Sequence, residues 1–426
     1  VKVEKALERI VEVALYALVF IIPFSKAGIE IFGTTAIVGW VALKGLRIKD
    51  KGLSLTKQRF LRIKDPLFIV AALFCLVIFL SCLTSISVIH SLKALFTKTF
   101  EYLLFFLIIV DLFSKREKLK ILVWVVLASV TILCIDGLIQ YFTGFDLIRK
   151  YPLNGRIGAS LYSPNDFGNY IILFMPIFLA LFAFKKIYLR YRILTIMPFL
   201  VALFCLIFSY TRAAWFGFSV GMFFFCFVRS KKLFVFFLAI LICGIFLLPS
   251  GVKNRLKQID SIEKFATDCR IIFWHESLNI IEDWPILGTG LNTYTQVGPK
   301  YKIHPIGGMY PHNSYLHMAA EVGILGLAAF LWFLWVIFAR GWRLLRHFQC
   351  LAMTDDNDYI LILGLMAGLI GFLVNAFFDT TLYSIRLASI FWIMCGVLVA
   401  ICNVVEKKHE IASLRSPVFL AIGTQV

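Results

Sequence analysis

Apolar runs of about 20 residues, separated by short polar or basic turns, repeat along the whole chain. Each is long enough to cross a hydrocarbon core of roughly 30 Å as a helix. The pattern predicts twelve spans, at 10–24, 27–45, 66–88, 93–113, 119–141, 165–184, 193–210, 213–228, 233–249, 312–339, 358–378 and 383–404. Helices satisfy their own backbone hydrogen bonds in lipid, so the expected fold class is an all-α polytopic membrane protein. Residues 1–426 form one integral membrane domain with no soluble domain and no inverted repeat of the transporter kind. No small-residue cleavage site follows the first apolar run, so a cleavable signal peptide is not expected.

Three polar stretches interrupt the pattern. The segment 44–65 is basic and is expected to lie along an anionic leaflet. The loop 142–164 is rich in Pro, Gly and Asn, which favour turns, and Asp166 is placed to cap the next helix. The largest insertion, 250–311, is expected to be partly helical. Val252, Leu256, Ile259 and Ile262 have helical spacing in a basic segment, which suggests an interfacial helix over 252–265. A second helix is predicted from Asp268 to Glu282, ended by Trp284-Pro285. So much structure in a connection points to function.

Composition fits this class. The 426 residues are 60% hydrophobic, with 43 Phe, and mean hydropathy is +0.87. The net charge of +18 would suit nucleic acid, but its distribution argues against that partner. With the N-terminus placed in the cytoplasm, 28 of the 43 Lys and Arg fall in cytoplasmic segments. That is the positive-inside pattern, and it puts both termini inside and the 250–311 loop outside. Of the ten cysteines, no pair has metal or redox spacing, and most read as small apolar packers.

Three groups on the outer side carry possible chemistry. His312 follows the long loop and opens a strongly apolar helix, where an imidazole can exchange protons near neutral pH. Arg212 sits in a turn with almost no loop, Tyr210-Thr211-Arg212-Ala213-Ala214, and an arginine there needs a partner, water or substrate. Arg270 lies in the second loop helix. The competing readings are a structural hydrogen bond for His312, a snorkelling side chain for Arg212 and a surface salt bridge to Asp268 or Glu276 for Arg270. Taken together, two guanidiniums can grip a pyrophosphate and an imidazole can take a proton from an attacking hydroxyl. Arg156, Asn313, Tyr315 and Glu321 are further candidates for substrate contact. Glu321 reads as a partner for an arginine or a helix-packing polar group, with a structural or orienting role favoured. Asp379 and Arg386 flank the last outer turn and are expected to pair with each other. Gly323 and Gly326, with Ala319 and Ala320, are expected to permit close helix packing. His304, His317 and Glu321 do not form a metal motif, and no metal or other cofactor is expected.

The stretch His312-Asn313-Ser314-Tyr315-Leu316 with Glu321-Val322-Gly323-Ile324-Leu325-Gly326 resembles the hallmark of the O-antigen ligase and polymerase superfamily. Three other elements resemble that family in the same order: Arg156 and Gly158 ahead of Pro164-Asn165, Thr211-Arg212-Ala213-Ala214-Trp215, and Arg270 with Trp274 followed by Trp284-Pro285-Ile286-Leu287-Gly288-Thr289-Gly290. The match covers roughly 150–330.

The resemblance implies a GT-C-type membrane glycosyltransferase of the bacterial inner membrane with its active site facing the periplasm. Its donor would be a glycan on undecaprenyl pyrophosphate and its acceptor the lipid A core, with inversion and without a metal. By position, Arg212 and Arg270 would bind the pyrophosphate, and His312 would activate the acceptor hydroxyl. Ligases often continue the second glycine with Thr-Arg, whereas here Leu327-Ala328 follow Gly326. A polymerase with a lipid-linked glycan acceptor therefore stays open. A transporter or lipid flippase is the rival from another class; it would require interrupted helices or mid-membrane charges. Asp136 and Glu101 are the charges to examine, and both can be placed near span ends.

Overall fold

The polar residue ahead of an apolar run decides where its helix starts. Asp65 accepts the amide of Leu67, with Pro66 following. Asp356 accepts that of Asp358. Each satisfies a donor that the first helical turn leaves open. Ser163, rather than the expected Asp166, does this for the helix that begins at Pro164. Ser163 has extended backbone angles just ahead of the proline, and its hydroxyl accepts the Asp166 amide.

The computed structural model describes residues 2–60, 65–185, 188–247, 269–303, 310–351, 353 and 356–414. Its helices are α1 (Lys2–Ile21), α2 (Lys26–Phe60), α3 (Pro66–Leu83), α4 (Val88–Ala94), α5 (Phe100–Leu112), α6 (Arg116–Thr143), α7 (Pro164–Ile172), α8 (Met175–Phe182), α9 (Leu189–Phe208), α10 (Arg212–Arg229), α11 (Lys231–Leu247), α12 (Cys269–Asp283), α13 (Tyr294–Val297), α14 (Ser314–Cys350), α15 (Asn357–Asn375) and α16 (Ile385–Leu414). A π-helical turn, Leu95–Thr99, joins α4 to α5. One isolated antiparallel bridge, Phe145 to Pro152, is the only extended pairing among the described residues.

Nine helical stretches among the described residues are long and apolar enough to cross a membrane. They coincide with nine of the twelve expected spans. Of the other three, at 10–24, 93–113 and 233–249, the first two fall short for local reasons and the third runs to the edge of the described residues. The first half of α1 is studded with Lys, Arg and Glu, the fourth run is divided by the π turn, and α11 is described over only 17 residues. The second span departs from expectation in length: α2 continues to Phe60 as one helix of 35 residues instead of ending at 45. Two of its cations are paired, Lys44 with Asp111 at 2.8 Å and Arg47 with Glu4 and Glu8 at 2.7 and 2.9 Å.

These pairs belong to a belt at one end of the bundle. Lys118 bonds Glu8 and Glu12, Arg116 bonds Asp358, and Arg340 bonds both Asp65 and Glu406. Residues of segments 1–9, 44–64 and 115–120, predicted to share one side of the membrane, thus lie together. At the opposite end, α6 holds the 144–161 loop. Asp136 accepts the amides of Leu147 and Ser160 at 2.8 and 3.0 Å, and Gln140 accepts those of Gly158 and Ala159 at 3.1 and 2.8 Å. Asp136 therefore anchors a loop about two turns from its helix end.

Close packing of α10 on α15 fixes the geometry of the end that carries Arg212. A Cβ on Gly217 would lie 2.5 Å from the Gly371 carbonyl, and one on Gly221 2.5 Å from that of Ala367. Only glycine allows this approach. The register runs antiparallel, so Arg212 at the start of α10 sits beside the end of α15.

Candidate active site

Asn313 starts α14. Its side-chain oxygen accepts the amides of Tyr315 and Leu316 at 2.9 and 3.1 Å. Ser314 then fastens this end to the turn after α15. Its amide donates to the carbonyls of Ala376 and Asp379 at 2.8 and 3.1 Å, and its hydroxyl donates to the Asp379 carbonyl at 2.8 Å. The latch holds His312, whose backbone is left-handed at φ 47°, against Asp379. Nδ1 of His312 lies 3.3 Å from the carboxylate, with the imidazole 42% exposed and the carboxylate 14%. The expected pairing of Asp379 with Arg386 is not observed. Arg386 is turned instead toward the carbonyl of Leu161, 3.5 Å away.

Burial alone would raise the Asp379 carboxyl. The hydrogen bonds from His312 and the Thr380 amide, with the charges of His312 and Arg270, outweigh it and hold the group below its ordinary value. Asp379 is thus an ionised acceptor aimed at one imidazole nitrogen. An Nδ1–H donated to it leaves Nε2 as the basic nitrogen.

Arg270 reaches this pair from α12. Its charge acts on Asp379, and two other residues of α12 frame the site. The Phe273 ring centroid is 6.2 Å from that of His312, and Trp274 packs edge-on against Phe377 at 5.4 Å. Glu276, an alternative partner for Arg270, accepts the amide of Ile303 at 2.9 Å. The predicted helix at Asp268–Glu282 is observed as Cys269–Asp283. Asp268, the expected helix at 252–265 and His304 lie outside the described residues.

Arg212 arrives through α10. Phe216, one turn along, packs edge-on against Phe378 at 5.9 Å, next to Asp379. The turn ahead of Arg212 is held by Arg156, which donates to the Ser209 carbonyl at 2.8 Å, to Asn165 at 2.9 Å and to the Thr211 hydroxyl at 3.0 Å. Of the residues expected to touch substrate, Arg156 thus braces the Arg212 turn. Asn313 is a buried cap, and the Tyr315 hydroxyl donates to the Leu373 carbonyl at 2.8 Å.

Glu321 is 1% exposed and also works on the backbone. Its carboxylate accepts the amides of Asn292 and Tyr294 at 2.8 and 3.0 Å and meets His317 Nε2 at 3.2 Å. Beside it α14 breaks: Gly323 has φ 72° and ψ 177°. The segment 285–290 fills the break. Thr289 and Gly290 donate to the carbonyls of Ala320 and Glu321, and Ile324 donates to that of Pro285. A Cβ on Gly323 would sit 2.0 Å from the Ile286 carbonyl. The Gly323 position therefore serves a helix interruption, not the helix-against-helix packing expected of it. Interrupted helices are a transporter feature, but here the freed backbone groups bond to 285–290. His317, also buried, stacks on Tyr383 at 3.6 Å.

The structure thus brings His312, Arg270 and Arg212 to one end of the bundle and adds Asp379, whose role sequence reasoning missed. The available signal was an acid in a short turn between two apolar runs, next to two aromatics.

The fold is that of a polytopic helical membrane protein, with a histidine–aspartate pair near Arg270 at one end of the bundle and Arg212 at that same end. Residues 197–331 match the family model described as O-Antigen ligase. The chain is 30% identical over 274 residues to a protein of Rickettsia prowazekii (strain Madrid E), covering 59% of this chain and 63% of that one. It is 29% identical over 286 residues to one of Rickettsia conorii (strain ATCC VR-613 / Malish 7), covering 62% and 65%. Both carry the name Putative polysaccharide ligase. The matches span slightly less than two thirds of these relatives' own length. Both comparisons support a resemblance to the O-antigen ligase superfamily through this region.

Proposed function

We propose that this protein transfers a glycan from undecaprenyl pyrophosphate to the lipid A core at the periplasmic face of the bacterial inner membrane, inverting the anomeric centre without a metal. The observation that carries this reading is the His312–Asp379 pair beside Arg270. His312 Nε2 takes the proton of the acceptor hydroxyl while Asp379 steadies the imidazolium. The acceptor oxygen bonds to the anomeric carbon as the bond from that carbon to the pyrophosphate oxygen breaks. The electron pair departs with undecaprenyl pyrophosphate. Arg212 and Arg270 offset the charge growing on that leaving group. Attack from the opposite face inverts the centre.

On this reading the ion-paired end of the bundle is cytoplasmic, together with both termini, and 250–311 is a periplasmic loop. The basic turns gathered at that end support it. The names of the relatives favour ligation over polymerisation. Reconstitution with undecaprenyl-pyrophosphate glycan and purified lipid A core tests the proposal. Glycan attached to the core is the expected product. Elongated lipid-linked glycan would make the protein a polymerase, and a folded protein that forms neither product would overturn glycosyl transfer altogether.

A further inference from the structure

At the end of the bundle opposite His312, the start of α6, the turn into α9, and α15 and α16 leave a groove of about 1460 Å³, counting the part open to the outside. Its floor is apolar, built from side chains such as Val123, Leu361 and Val404. Its rim is cationic and aromatic. Arg116, Lys120 and Lys185 line it together with Trp124, Tyr188 and Tyr191. Asp358 is the single carboxylate among the described lining residues. It is already bonded by Arg116 at 2.6 Å and approached by Lys408 at 3.9 Å. Among the described lining residues, three cations thus outnumber the one carboxylate, over an apolar trough.

We propose that this groove binds an anionic phospholipid, with the acyl chains against the floor and the phosphate held by the cationic rim. The two halves of the site call for an amphiphile. A soluble anion has no use for the apolar floor, and a zwitterionic lipid does not offset the charge of the rim. Trp and Tyr belong at the level of a headgroup, and basic pockets between helices on the cytoplasmic side suit anionic headgroups. Nothing in this inference depends on the chemistry at His312.

Trp124 provides the probe. The full chain is reconstituted in phosphatidylcholine vesicles containing either brominated phosphatidylglycerol or brominated phosphatidylcholine. The signal of Trp124 is taken as the difference between the native chain and Trp124→Phe. The expected result is stronger quenching by the brominated phosphatidylglycerol at equal content. Lys120→Gln and Lys185→Gln should each weaken that binding about fivefold, the effect of one cation at an anionic surface. Lys120 is exposed, so its substitution leaves the fold in place, as an unchanged elution profile would register. Equal quenching by the two lipids, or a preference that survives both substitutions, would overturn the proposal. So would loss of the preference on adding inorganic phosphate, which would assign the rim to a soluble anion.

Discussion

Nδ1 of His312 and Oδ1 of Asp379 meet at 3.3 Å although 67 positions separate them in the sequence. The pair gives the imidazole a fixed orientation and a counter-charge. Asp379→Asn keeps the shape and removes the charge. It is expected to lower glycan transfer by about 10²- to 10⁴-fold, the range of a disabled acid–base group. Turnover in proteoliposomes, with a matched elution profile, measures this. Near-native turnover would mean that His312 works without its partner.

Asp379 also makes a prediction about pH. Its carboxyl is held below the ordinary 3.8. A depressed folded value contributes stability that is present above the unfolded value and is lost as the pH falls through the folded one. The stability advantage of the native chain over Asp379→Asn should therefore be present above about pH 4 and shrink below it. Thermal unfolding of both proteins across that range reads it out. An advantage that declines already near neutral pH would contradict the depressed carboxyl.

Arg212 and Arg270 are proposed to act through the geometry of the guanidinium as well as its charge. Arg212→Lys and Arg270→Lys retain the charge and lose the paired donors. Each should reduce kcat/KM by about 10- to 100-fold, the equivalent of one lost charge-assisted hydrogen bond. Lysine variants with full activity would reduce both residues to a general positive field.

For Arg156 the structure points to bracing. Arg156→Ala strips donors from the Ser209 carbonyl, Asn165 and Thr211, at a cost of about 1–3 kcal/mol. The unfolding temperature and kcat should fall together as the turn carrying Arg212 loosens. An unchanged melting curve with a raised KM would instead indicate that Arg156 touches substrate.

The break in α14 can be tested with a pair of glycines. Gly323→Ala puts a Cβ 2.0 Å from the Ile286 carbonyl in a backbone conformation with φ 72°. It should cost at least about 2–3 kcal/mol. Gly45 lies in α2, and a Cβ added there would meet nothing within 4 Å. Gly45→Ala should be neutral or stabilising by about 0.4–1 kcal/mol. Thermal melts of the two variants side by side decide the matter. Equal effects would mean that the interruption at Gly323 is not under constraint.

Hydrophobic patterning is enough to find most of the helices, because lipid admits few other structures. The candidates His312, Arg212 and Arg270 stand out because polar groups at the ends of apolar runs are conspicuous. Contacts between distant segments are not legible. Nothing near Asp379 announces His312, and the nearer Arg386 looks like the natural partner. Gly323 resembles a packing glycine because the carbonyl that demands it belongs to Ile286. Arg47, just past the expected end of the second span, is neutralised by Glu4 and Glu8 from another helix, a pairing that the local sequence of α2 does not announce.

The Ser314 latch has a consequence for biogenesis. His312, Arg212 and Arg270 are all synthesised before the turn that carries Asp379, and the carbonyls that tether Ser314 come from Ala376 and Asp379. A nascent chain that has not yet emerged past this turn holds the arginines and the imidazole without the acid that orients it. Assembly of the pair waits for α15 to insert and its following turn to form, so a product terminated before that turn lacks the pair.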